Sequence, residues 1–221
     1  MSQAQPVWIE PWDVNRRLAE LGVTMQAVRT AVERSQSAWA ACTPNYPRNF
    51  PGIAGWAAAV CGLGDELAPT GWRRVEDCGQ PLIVKGDIAL TAASGDENTG
   101  RTAESQPLDT KASKGPVTVE AINRNTYLFP LMQQDADEKV AQRVARAQNT
   151  WVLLMHRDEI AGEVRCELSR PITMDQDRHI DGWSERIILP PIDFEGLEVG
   201  KMEDDGGSDG GEISIEIRRR G

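Results

Sequence analysis

Residues 150–174 read TWVLLMHRDEIAGEVRCELSRPITM. Trp151 to Met155 is an unbroken apolar run bounded by polar residues, about the length of one strand. The DEIAGE segment that follows has hairpin chemistry, with an acidic residue to open a turn and Gly162 to close it. Beyond it, Val164, Cys166 and Leu168 alternate with Glu163, Arg165 and Glu167, the period of two that a strand imposes. An antiparallel hairpin in the second half of the chain therefore sets the fold, and the neighbouring segments are read against it.

Downstream, SERIILPP at 184–191 predicts a third strand. ISIEI at 213–217 alternates again, with Ile213, Ile215 and Ile217 on one side. The acidic, glycine-rich stretch at 196–212 has too little apolar content to fold and reads as a tether that returns the last strand to the sheet. Upstream, RRVED, QPLIVKG and DIALTAA between residues 73 and 93 predict short strands, with turn signals at Cys78-Gly79 and Lys85-Gly86-Asp87. Between these two β regions, DADEKVAQRVARAQN at 135–149 places Ala136, Val140, Val144 and Ala147 on one helical face. TVEAINRNTYLFPLM, before it, is ambiguous between helix and strand.

The first seventy residues are helical by pattern. Val14, Leu18 and Leu21 share a face, with Asp13 as N-cap and Gly22 as terminator. Thr24 caps a second helix along which Met25, Val28, Val32, Ser35 and Trp39 line up. After the proline-broken TPNYPRNFPG, Pro51 suits the first turn of a third helix. Its Ile53, Trp56, Ala57, Val60 and Leu63 are surrounded by alanines, which predicts burial on all sides and the innermost position. The expected architecture is α+β. A helical layer (residues 1–70) packs on a mostly antiparallel sheet (71–221) in one compact unit, with a further helix between the two halves of the sheet.

Composition limits function. The 221 residues carry 40% hydrophobic side chains, enough for one sizeable core, and a formal net charge of −10. That charge disfavours nonspecific binding to a phosphate backbone, because like charges repel. Four scattered cysteines without a CxxC pair predict reduced thiols in a cytoplasmic protein. No signal-peptide pattern or membrane-length apolar stretch is visible, and no membrane association is expected. Arginine outnumbers lysine, which fits a GC-rich bacterial or phage-encoded source.

Residues 93–116, ASGDENTGRTAESQPLDTKASKGP, pose the main functional question. A connection this long is usually functional or disordered. Asp96 and Glu97 lead it, and Arg101, Lys111 and Lys114 follow. Such a flexible segment could order on a protein partner or close over an anion. Trp8 and Trp12 precede the first helix in an apolar segment and are candidates for docking on another subunit, including a second copy of the chain.

Reaction chemistry finds less support. There is no phosphate loop, dinucleotide fingerprint or nucleophile elbow. His156 and His179 are the only histidines, and neither they nor the cysteines have metal-ligand spacing. Glu76, Asp77, Lys85 and Asp87 lie on adjacent predicted strands and could converge as a metal-dependent hydrolase site acting on nucleotides or nucleic acid. Asp158, Glu159 and Glu163 could do the same about the hairpin. LAELGVTMQAVRTAV resembles a helix-turn-helix link, with Arg16, Arg17, Arg29 and Arg34 as phosphate contacts for a DNA-binding regulator. Leu18 and the long second helix argue for a plain helical hairpin. The leading expectation is a non-enzymatic interaction protein (a subunit, adaptor or inhibitor of a bacterial or phage-encoded complex) needing no cofactor or metal. An acidic surface of this kind complements a basic, nucleic-acid-binding partner.

Overall fold

The computed structural model describes residues 5–77, 80–102, 108, 110, 149–177 and 179–193. Three helices, α1 (Pro11–Leu21), α2 (Met25–Ala40) and α3 (Phe50–Leu67), precede most of the sheet. Among the described residues the strands are β1 (Val7–Trp8), β2 (Arg73–Asp77), β3 (Gln80–Lys85), β4 (Ile88–Ser94), β5 (Asn149–Asp158), β6 (Glu163–Met174) and β7 (Ile180–Asp193). They form one sheet in the order β1-β7-β6-β5-β4-β3-β2. The β1–β7 and β4–β5 pairs are parallel and the others antiparallel. This is the expected α+β arrangement. The helix expected at DADEKVAQRVARAQN lies outside the described residues, apart from Asn149, which opens β5. The strand ISIEI, the tether at 196–212, Lys111 and Lys114 also lie outside them.

Local chemistry explains the helix ends. Pro11 rather than Asp13 fixes the start of α1, since a proline nitrogen has no proton to leave unpaired at the first helical position. Asp13 falls in the first turn, 2.9 Å from Arg16. Gly22 ends the helix in the left-handed conformation, with its N–H and that of Val23 bonded back to Ala19 and Leu18. The Thr24 hydroxyl accepts the Ala27 N–H at 3.0 Å and starts α2.

The main core lies between the helices and one sheet face. Val14, Leu18, Val28, Val32, Val60 and Leu63 meet Leu90, Trp151, Leu153, Val164, Leu168 and Ile187 there. Cys166 joins them, and burial pushes its thiol pKa up to about 12. Two tryptophans fasten the layers. Trp72 Nε1 donates to the Gly22 carbonyl and Trp56 Nε1 to the Ala92 carbonyl, each at 3.1 Å.

α3 departs from expectation. Its inner face, Gly55, Ala59, Val60, Leu63 and Leu67, is buried, whereas Phe50, Ile53, Ala57 and Cys61 are exposed. The small residues serve close approach to α2 instead of burial all round. A Cβ on Gly62 would stand 2.9 Å from the Ala31 Cα, so only glycine lets the backbones come this near. With helices on one face of a sheet, each helix keeps an outer side, and here that side is apolar.

Candidate functional site

The polar stretch after β4 does not stand away from the protein in its described part. Gly95 bridges to Thr110, and Asp96 to Gly100 form a compact turn in which Asp96 accepts the Asn98 N–H at 2.9 Å. The turn lies over the second face of the sheet. There Glu167, completely buried, takes two bonds from Arg186, at 2.9 and 2.6 Å. It also accepts from the Ser169 hydroxyl at 2.6 Å and the Gly100 N–H at 2.8 Å. Gly100 sits at φ 72, and a Cβ there would come within 3.0 Å of the Arg165 Cβ. Arg165 donates to the Glu97 carbonyl, and Arg186 to the Arg101 carbonyl. Further along, Leu108 is buried against Val152, Leu154, Ile180 and Trp183, and its carbonyl accepts from Trp183 Nε1 at 3.0 Å.

The expectation of a free, flexible loop is therefore corrected for residues 95–102, 108 and 110. The polar face of β6 and β7 carries charges that need partners once buried, and this segment's backbone supplies them. Asp96, Glu97 and Arg101 belong to that cover. Arg101 also reaches Asp158 at 3.9 Å.

The acidic sets do not assemble as expected. Glu76 pairs with Pro81 near one end of the β2–β3 hairpin, beside Asp77 opposite Gln80. Lys85 and Asp87 stand at the other end, at the β3–β4 turn, four residues further along β3. That separates the two pairs by about 13 Å of strand. Around the other hairpin, Asp158 and Glu163 are cross-strand partners. Asp158 accepts the Ala161 and Ile160 N–H groups of the turn and lies 3.4 Å from Arg165. The Ala161 bond first, and Arg165 as well, hold its carboxyl below the usual carboxylate range. It is a turn-forming acid among cations. Among the described residues, no three His, Cys, Asp or Glu side chains are grouped to hold a metal ion.

The helical link is likewise occupied by packing. Leu18, Val28 and Val32 are in the core. Arg16 pairs with Asp13, Arg17 with Glu20 and Glu185, and Arg34 with Asp65, while Arg29 is exposed. The Glu185 hydrogen bond chiefly raises the Arg17 pKa. Trp8 packs on its own chain, donating from Nε1 to Glu185 at 2.7 Å with Arg16 over its ring. Trp12 is 79% exposed.

Two adjoining features were not foreseen from the sequence. The first is the apolar surface at the start of α3. Tyr46 and Phe50 stack at 4.7 Å with an interplanar angle of 8°, both exposed, and Ile53 beside them is 50% exposed. The second is a cavity of about 780 Å³ between α2, the start of α3 and the carboxyl ends of the parallel strands β4 and β5. Trp39, Trp56, Met155, Arg48, His156 and Arg157 are among its lining residues. The Arg157 guanidinium lies over the Trp39 ring at 4.1 Å and donates to Gln36 Oε1. Glu159 reaches Arg157 Nε at 3.5 Å from outside the lining.

Compared with known protein families, characterised proteins and solved structures, the chain matches none. Among the described residues, no helix is long and apolar enough to cross a membrane.

Proposed function

We propose that this chain is a non-enzymatic interaction protein, a subunit, adaptor or inhibitor, whose partner docks on the outer face of α3. The observation that carries this is the exposed apolar row Phe50, Ile53, Ala57 and Cys61, extended by Tyr46. A helix with an apolar outer side either meets a partner or exposes a liability. Aromatic residues beside arginine, here Tyr46 and Phe50 next to Arg48, are the composition of an interface centre. Partner chemistry follows from charge. With a net −10 on the chain, a basic protein is drawn to it and an acidic one is repelled. The contact then lies on α3 and not at Asp96, Glu97 and Arg101, which belong to the sheet cover.

Native mass spectrometry of the protein purified from its source tests this. The wild type should carry a second, different chain. Ile53→Asp, which adds a charge at an exposed position and leaves the core alone, should lose that chain while keeping the wild-type melting temperature. A homodimer, a bare monomer, or loss of the partner on Trp12→Ala in place of Ile53→Asp would each contradict the assignment.

A further inference from the structure

The cavity beside α3 adjoins the docking row and shares Arg48 with it, but Ile53, Ala57 and Cys61 do not line it and it has its own chemistry. We infer that it binds a small aromatic anion, an oxyanion group attached to a flat apolar body. Its volume of about 780 Å³ falls within the range of small-ligand sites. It opens at the carboxyl ends of the parallel pair β4–β5, where Ser94 lies opposite Met155. In open parallel sheets ligands settle at that end, and this one internal parallel pair offers the same kind of edge within a mostly antiparallel sheet.

The charge distribution selects the ligand. Acids outnumber bases 34 to 24 in the whole chain, yet no Asp or Glu lines this cavity, while Arg48, Arg157 and His156 do. Arg157 is pre-positioned, stacked on Trp39, bonded to Gln36 and 3.5 Å at Nε from Glu159, which lies outside the lining, so little side-chain freedom is lost when it engages an oxyanion. Arg48 is exposed at the rim and, among the described residues, has no ion-pair partner. α3 starts at the same place. Asn49, Pro51 and Gly52 line the cavity, so the positive end of the helix borders it; the Asn49 side chain makes no capping bond, although the Phe50 N–H is bonded to the Pro47 carbonyl and Pro51 has none. Two arginines and the helix start supply the positive charge. Trp56 and Met155, with Trp39 beneath the Arg157 guanidinium, supply flat apolar walls beside it.

The test uses four probes on the full chain, followed by tryptophan fluorescence and calorimetry. These are 1-naphthyl phosphate, 1-naphthoate, neutral 1-naphthol and inorganic phosphate. At least one of the first two should bind and change the tryptophan emission, with the preferred one identifying phosphate or carboxylate as the oxyanion. Naphthol and inorganic phosphate, each lacking one half of the ligand, should bind at least about tenfold more weakly. Arg48→Ala, a rim substitution that leaves the core untouched, should weaken binding about tenfold with an unchanged melting temperature. Arg157→Met should weaken it at least as much. Failure of both naphthyl anions to bind, equal binding of naphthol, or indifference to both arginine substitutions would overturn the inference. Because Ile53→Asp should leave probe binding intact, this test fails or succeeds separately from the docking assignment.

Discussion

Replacing Glu167 by Ala should lower the unfolding free energy by about 3–5 kcal/mol, the cost of leaving one member of a buried ion pair unpaired. The carboxylate is wholly enclosed and receives bonds from Arg186, Ser169 and the Gly100 backbone. Removing it strands the Arg186 guanidinium on the second sheet face and frees the turn after β4. Urea denaturation followed by circular dichroism measures the loss. Hydrogen exchange at Gly100 should speed up at the same time, which separates release of the cover from uniform loosening. The double substitution of Glu167 and Arg186 by Met should be less damaging than Glu167→Ala, since no lone charge remains. A loss below about 1 kcal/mol for Glu167→Ala would mean that the carboxylate reaches water and that the segment does not seal it.

Trp151→Ala should cost a similar amount, about 3–5 kcal/mol, for a different reason. Trp151 is 1% exposed and sits at the centre of the sheet, opposite Leu90 in the parallel β4–β5 pair. Its ring carries the Arg17 guanidinium at 5.7 Å, and its Nε1 donates to Asn149. The same Arg17 is held by Glu185 of β7, so one ring joins α1, β5 and, through that ion pair, β7. Truncation opens a cavity beneath α1 and removes the surface over which the arginine lies. Trp151→Phe keeps most of the volume and should cost under about 1.5 kcal/mol. Equal effects of Phe and Ala in urea denaturation would point to the indole N–H rather than to packing.

Much of the fold was legible because local signals agreed with one another. The turn at DEIAGE, the strands flanking Lys85-Gly86-Asp87 and the Thr24 cap each rest on a few adjacent residues, and each is where the pattern placed it. What lay across the sheet was harder to see. Glu163, Arg165 and Glu167 alternate with apolar residues as a water-facing set would, yet Arg165 and Glu167 are buried. Their cover comes from a segment about 67 residues earlier in the chain. One signal was present. Trp151 to Met155 is apolar at both odd and even positions, so it needs cover on both faces. The alanine richness of α3 misled in the opposite direction, because close helix contact and complete burial call for the same small residues. The cavity was hidden for a similar reason, since Trp39, Arg48, Ser94 and Arg157 come from four separate segments. Catalytic expectations based on adjacency in sequence failed at the β2–β3 hairpin, whose two ends hold the acids apart.

Cys61 offers the most direct probe of the docking face, because its exposed thiol stands in the apolar row of α3 and within 3.6 Å of Asp65. Maleimide labelling followed by peptide mass spectrometry would compare the free protein with the partner-bound complex, using buried Cys166 as the unreactive reference. Cys61 should label readily in the free protein and be protected in the complex. Equal labelling of Cys61 in both would show that the partner sits elsewhere and would contradict the account.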